Sequence, residues 1–159
     1  MDREIRLLLR IFDQAFEKRA WHGPNFRGSL RGVSAREASW RPAPGRHNIR
    51  EISAHVAYWK YIVRRRLLSM KRGSFEIPGS NWFTVLPRIN ERAWREEVKL
   101  LEREHRELRK TIAGLKRSDL ARKPGGSKVD NATMIYGAAS HDLYHAGQVQ
   151  LLKRLLRTR

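Results

Sequence analysis

Two histidines four residues apart could bind one metal ion. His141 and His145 lie in the segment Ser-His-Asp-Leu-Tyr-His-Ala-Gly-Gln of a predicted C-terminal helix. Residues at this spacing share one face of an α-helix, with about 5 to 6 Å between their Cβ atoms, so both imidazoles can reach the same ion. His55 occupies a comparable position on an earlier predicted helix. Three imidazoles that face one core predict a metal site.

The apolar surroundings of these histidines favour a shared ligand. On a helical wheel, His141 and His145 fall beside Met134 and Leu152, so both side chains are expected to point inward. Burying an imidazole without a hydrogen-bond partner costs about 1 to 3 kcal/mol, whereas one coordinated cation satisfies all three rings. The alternative is that each histidine is an ordinary core residue with its own partner.

Three further histidines test how specific this interpretation is. His105 lies on the apolar stripe of another long helix beside Leu101, so by wheel position alone it competes with His55. Helix geometry does not separate the two. His47 precedes a predicted helix cap and His22 lies in a Trp-His-Gly-Pro loop, so capping, turn or surface roles are expected for both.

The residues around the histidines do not reveal a general acid or base. Asp142 is rotated by about 100° from His141 on the helix and is expected to reach solvent or a neighbouring loop. Trp59 is expected in the core, and Gln148 could satisfy a buried partner one turn beyond the pair. Gly147 is expected to allow close helix packing. No acid or base is therefore assigned.

Four long amphipathic helices must position these residues, and no segment has the pattern of a strand. Apolar residues recur every three or four positions over about 2–19, 48–70, 90–115 and 131–157. The chain shows no internal repeat. The pattern predicts an all-α fold, a four-helix bundle formed as a single domain by residues 1–159.

Local signals mark the start of the second long helix and the crossover after it. Asn48 can cap the first amides while Glu51 reaches back, as in a capping box. Residues 73–87 contain Pro, Gly, Ser and Asn, which predicts an irregular crossover. Trp82 and Phe83 within this crossover are expected to be exposed.

The composition excludes several kinds of chemistry. The 159-residue chain has no cysteine, so any sulfur chemistry requires a diffusible thiol, and disulfides and thiolate metal sites are excluded. No apolar run approaches the roughly 18 residues that a membrane span needs, and the charged N-terminal segment is unlike a secretory signal. The sequence predicts a cytoplasmic protein with no membrane partner.

The strong positive charge makes nucleic acid an alternative partner. Lys and Arg total 34 against 16 Asp and Glu, which gives a formal net charge of +18. Such a field attracts anions of any kind. The basic residues are, however, dispersed along every predicted helix, and a phosphate-binding glycine loop and a helix-turn-helix pattern are missing. Charge of this kind supports mainly nonspecific attraction.

Two segments of the chain each contain a histidine motif. The first, residues 41–59, contains the pattern His-x-x-x-Trp from His55 to Trp59. The second, residues 141–148, has the pattern His-x-x-x-His-x-Gly-Gln. In their order, spacing and flanking residues, the two segments together resemble the DinB/YfiT-like superfamily, and the resemblance covers essentially the whole chain.

The resemblance implies a four-helix bundle with up-down-down-up topology. It also implies that His55, His141 and His145 form a facial metal triad, and that His105 has a core or supporting role. Relatives include proteins assigned as metal-dependent hydrolases, thiol S-transferases that use bacillithiol or mycothiol, a maleylpyruvate isomerase and stress-linked proteins. Homodimers are frequent in the family, and an apolar strip at Trp82 and Phe83 could form one.

Three protein nitrogens leave an open coordination position, as is typical of a catalytic ion. An all-imidazole triad suits zinc, nickel, iron, copper or cobalt, and zinc or nickel is preferred here. Such an ion lowers the pKa of a bound water towards about 7 and deprotonates a bound thiol. The sequence therefore predicts hydrolysis, or S-transfer of a low-molecular-weight thiol, on a small polar or anionic substrate. A noncatalytic metal-binding stress protein is the alternative.

Overall fold

The described part of the chain is helical. The computed structural model describes residues 1–71, 73–83 and 89–158, and all regular secondary structure in these ranges is helix. The helices are α1 (Arg3–Phe16), α2 (Phe26–Ser29), α3 (Ala35–Ser39), α4 (Ile49–Leu67), α5 (Glu91–Ala113), α6 (Arg117–Leu120) and α7 (Asn131–Arg157). The four long helices are confirmed to within three residues of their predicted ends. The predicted crossover is irregular as far as residue 83, and its remainder lies outside the described residues.

A capping box fixes the start of α4. The Asn48 side chain accepts a hydrogen bond from the Glu51 amide at 2.8 Å, and Glu51 Oε2 accepts one from the Asn48 amide at 3.3 Å. Two amides that lack helical partners are thereby satisfied. The capping box is confirmed, and it fixes where α4 begins. His55, one turn after Glu51, faces the interior.

The four long helices pack as a ring. Helix α1 contacts α5 and α7, and α4 also contacts α5 and α7. The buried apolar side chains form two clusters, one around Phe16, Ile52 and Val149 and the other around Ile5 and Leu108. Because α4 and α7 are neighbours, the helix that carries His55 lies against the helix that carries the histidine pair.

None of the helices in the described residues combines the length and the hydropathy needed to cross a membrane. The absence of a membrane partner stays a prediction. The cytoplasmic location and the organisation as a single domain stay predictions.

The predicted exposed strip at Trp82 and Phe83 is wrong for Phe83, whereas Trp82 is 36% exposed. Phe83 is only 4% exposed and packs against Phe75. Trp82 stacks between the rings of His47 and His55, with centroid distances of 3.6 and 3.9 Å. An irregular loop has no periodicity that would show which of its side chains face the protein. The homodimer stays a prediction, without this strip to support it.

His105 is a core residue, in agreement with the core or supporting role that the family resemblance implied for it. Its ring stacks between Phe12 and Phe16, with centroid distances of 4.5 and 3.9 Å. Neither ring nitrogen has a hydrogen-bond partner in the described part of the chain. Burial is the main reason that the pKa of His105 falls from 6.5 to about 2, and the Lys60 charge contributes.

We expect His105→Phe to stabilise the metal-free protein, and to do so more at acid pH. At pH 7 the gain is about 1 kcal/mol, because two buried polar atoms without partners are removed and the ring stacking is kept. Below pH 6.5 the unfolded chain binds a proton that folded His105 rejects, so the wild type loses stability as the pH falls towards about 2. At pH 5 this loss is about 2 kcal/mol.

Urea unfolding of both proteins at pH 7 and pH 5 measures this difference. Between pH 7 and pH 5, the free energy of unfolding should fall less in His105→Phe than in the wild type. Parallel pH dependence in the two proteins would contradict the assignment of His105 as a buried neutral ring.

Candidate metal centre

The structure brings the three predicted histidines together. His55 comes from α4, and His141 and His145 come from successive turns of α7. The Nε2 atom of His141 lies 3.0 Å from Nε2 of His55 and 3.1 Å from Nε2 of His145. One potential ligand atom from each residue lies within 4.8 Å of the other two. This group could hold a metal ion.

Hydrogen bonds orient two of the three rings. His55 Nδ1 donates to the backbone carbonyl of Asn81 at 2.8 Å, and His145 Nδ1 donates to Gln148 Oε1 at 2.6 Å. A neutral imidazole carries a single proton, so Nε2 of each of these rings presents a lone pair. Both lone pairs point towards His141. A second ring nitrogen tied to a carbonyl is the usual arrangement of metal-binding histidines.

Protons alone cannot satisfy the three facing nitrogens. If His141 Nε2 carries a proton, that one proton is shared between two acceptors, and if it does not, three lone pairs face one another. A cation among them would satisfy all three at once. The three imidazole nitrogens therefore fit a divalent transition metal. Imidazole ligands alone do not identify which of these metals is bound.

Burial keeps the three rings neutral. It is the largest cause of a pKa of about 3 for His141, with the neighbouring His145 and His55 adding to the shift. Burial also lowers the pKa of His145 to about 4, against the hydrogen bond with Gln148, and lowers that of His55. Since only a neutral imidazole has a lone pair to share, the rings can coordinate an ion at neutral pH.

The crossover loop, residues 73–83, holds His55 from outside the helices. Asn81 has a left-handed backbone with φ of 59°, and besides its carbonyl bond to His55 its side-chain oxygen accepts from Trp59 Nε1 at 3.0 Å. Trp82 covers one face of the His55 ring. Sequence reasoning missed Asn81 and Trp82 in this role, and the half-buried Trp59 is less of a core residue than expected.

A buried ion pair lies directly beside the triad. Lys60 Nζ is 2.5 Å from Asp142 Oδ2, and the two side chains are 2% and 1% exposed. The prediction that Asp142 reaches solvent is therefore wrong. A signal for Lys60 was present in the sequence, because it lies four residues after Val56 and three before Val63, both buried on the same stripe.

The pair ties α4 to α7 in apolar surroundings. Burial lowers the pKa of Lys60 and raises that of Asp142, and their mutual attraction opposes both shifts. The Lys60 ammonium also lies 4.6 and 4.7 Å from the ring centres of Phe12 and Phe16. Asp142 Oδ1 has no hydrogen-bond partner in the described residues. Nothing in the spacing of α7 alone indicates this partnership.

Comparison with models of known families identifies the family of this chain. The family model described as the DinB superfamily matches residues 19–149, a span that includes all three histidines. The chain belongs to the DinB superfamily. Comparisons with curated proteins and with solved structures found no match. In this DinB-superfamily chain the all-helical fold agrees with the family.

The structure also tests the expected roles of Gln148, Gly147 and the two remaining histidines. Gln148 satisfies His145, as predicted. Gly147 does not serve close packing, because a Cβ built on it would meet nothing within 4 Å. His22 is exposed, whereas His47 stacks on Trp82 and pairs with Glu51, so it supports the site indirectly.

We expect Gln148→Leu to weaken metal binding by about 10- to 100-fold, because His145 then loses the acceptor that orients its ring. Competition with a coloured zinc chelator measures the affinity. Gln150→Leu is the matched control, since it changes the same residue type on the same helix and, among the described residues, Gln150 has no hydrogen bond to the triad histidines. Equal affinities in the two variants would show that Gln148 does not orient the ligand.

Proposed function

We propose that this DinB-superfamily protein is a metal-dependent enzyme whose divalent ion is held by His55, His141 and His145. The observation that carries the proposal is the convergence of three Nε2 atoms, two of them on rings whose other nitrogen is hydrogen-bonded. When bound, a zinc, nickel or iron ion would act as a Lewis acid and lower the pKa of a water or thiol.

The chain offers a place for a small molecule beside the triad. A cavity of about 580 Å³ opens next to His55 and His141. Volumes of about 300 to 1,000 Å³ are typical of small-molecule sites. The triad lies at the edge of this cavity, so three nitrogens from the protein would leave coordination positions for a ligand from that side.

We propose hydrolysis, or S-transfer from a low-molecular-weight thiol, as the reaction. The absence of cysteine means that a thiol nucleophile has to be a diffusible cofactor. The net charge of +18 favours an anionic substrate or cofactor. Family membership supports, as parts of the same proposal, the up-down-down-up helix order and a homodimer.

The test is turnover by metal-loaded protein. One panel offers activated esters and amides in water, and a second offers a small thiol together with an electrophile. We expect activity on at least one panel, its loss in each of His55→Ala, His141→Ala and His145→Ala, and its retention in His22→Ala, which removes an exposed histidine.

Activity that survives all three triad substitutions would overturn the proposal. The same samples test the alternative of a nucleic-acid-binding protein. Salt-sensitive binding to DNA or RNA that is equal in the wild type and the triad variants, without turnover, would favour that alternative.

A further inference from the structure

The cavity beside the triad runs between α4 and α7 and is largely apolar. Trp59 and Val63 line it from α4, and Met134 and Ala138 line it from α7. The lining on α4 extends from His55 to Arg66, which are 11 residues apart, or roughly 16 Å along a helix. An occupant that extends from the triad towards Arg66 would lie mostly against hydrocarbon.

Two of the charged side chains that line the cavity pair with each other, and a third has no ion-pair partner in the described part of the chain. Lys60 and Asp142 neutralise each other. Arg66 is exposed and makes no ion pair among the residues that the structure describes. One cation is therefore available at the end of the cavity away from the histidines, and it complements one anionic group.

We infer that the cavity binds a free amphipathic small molecule, with an apolar body between α4 and α7 and an anionic group at Arg66. The inference rests on the proposed function, because it names the substrate class of the same site. It is narrower than the polar or anionic substrate predicted from the charge, since a wholly polar molecule would leave the apolar walls without contacts.

A glycine allows the cavity to be filled without altering the triad. Gly137 lines the cavity, and a Cβ built on it would meet nothing within 4 Å. Gly147, on the same helix, is equally open but does not line the cavity. Gly137→Phe and Gly147→Phe gain similar helix propensity, so the second variant is a matched control for the first.

The experiment uses octanesulfonate as the probe and butanesulfonate as its short-chain control, with binding measured by calorimetry. Both carry the same charge, so a general attraction to the basic protein affects them equally. We expect octanesulfonate to bind at least about tenfold more tightly, since four additional methylenes are buried. Gly137→Phe should bind octanesulfonate at least about tenfold more weakly than the wild type, because the new ring fills the cavity. Gly147→Phe should bind it as tightly as the wild type.

A second pair of variants tests whether Arg66 binds the anionic group of the probe. Arg66→Gln should weaken octanesulfonate binding by about three- to tenfold, whereas Arg10→Gln, which removes an exposed charge from α1, should not. Equal affinity for the two sulfonates, or equal affinity in the two glycine variants, would overturn the inference.

Metal content in the same samples separates this inference from the proposed function. The probe needs no metal, so it is titrated into both metal-free and metal-loaded protein. A chain-length effect without metal binding supports the cavity and contradicts the enzyme proposal. Metal binding without a chain-length effect leaves the enzyme proposal standing and overturns the amphipathic ligand.

Discussion

Replacing His141 and His145 together by alanine is expected to weaken metal binding by at least about a thousandfold. Two of the three ligand atoms, which all lie within 4.8 Å of one another, are lost, and His55 alone cannot hold an ion tightly. Structural zinc sites bind with about 10 to 16 kcal/mol spread over four ligands, so the loss of two ligands removes a large share of that energy. Elemental analysis and chelator competition measure the change.

His22→Ala is the control for the double variant, because it removes a histidine from an exposed loop. It should retain near-stoichiometric metal after loading with zinc, nickel or iron. A double variant that retains as much metal as His22→Ala, or a wild type that takes up none, would leave three neutral core histidines and no metal centre.

Lys60→Met is expected to lower the free energy of unfolding by about 3 to 5 kcal/mol. The substitution keeps an unbranched side chain that is one heavy atom shorter, but it leaves Asp142, 1% exposed, buried beside the triad without its cation. Removing one partner of a buried pair costs this much because the remaining charge is uncompensated. Chemical denaturation of the metal-free protein measures the loss without a contribution from metal binding.

The double variant Lys60→Met/Asp142→Leu should recover most of the lost stability, since an apolar pair of similar volume replaces the ion pair. Lys99→Met is the control for the single change, because Lys99 pairs with Glu96 on the exposed face of α5 and should matter little. If Lys60→Met is as mild as Lys99→Met, the buried pair does not stabilise the junction of α4 and α7.

The sequence by itself determined the elements that have a regular pattern. The four long helices followed from apolar residues at three- and four-residue spacing, because one face of each helix must be buried. The start of α4 followed from the chemistry of Asn48 and Glu51. The shared face of His141 and His145 followed from the helical repeat, which operates within one element.

The choice between His55 and His105 needed more than helix geometry. Both are buried, at 5% and 1% exposure, so periodicity alone describes them equally well. The resemblance to the DinB family favoured His55, and the structure places its Nε2 3.0 Å from His141, whereas His105 lies between two phenylalanine rings. Which buried histidines meet depends on which helix faces pack together.

Only the tertiary structure decided the surroundings of the triad. Asn81 and Trp82 lie in an irregular loop, where the sequence has no repeat that shows which side chains face inward. The expectation that Asp142 points away from the core assumed a single buried stripe for α7. That helix packs against α1, α2, α4 and α6, so its buried arc is wide and includes Asp142. A long-range contact of this kind depends on how the helices assemble, which the periodicity of a single helix does not contain.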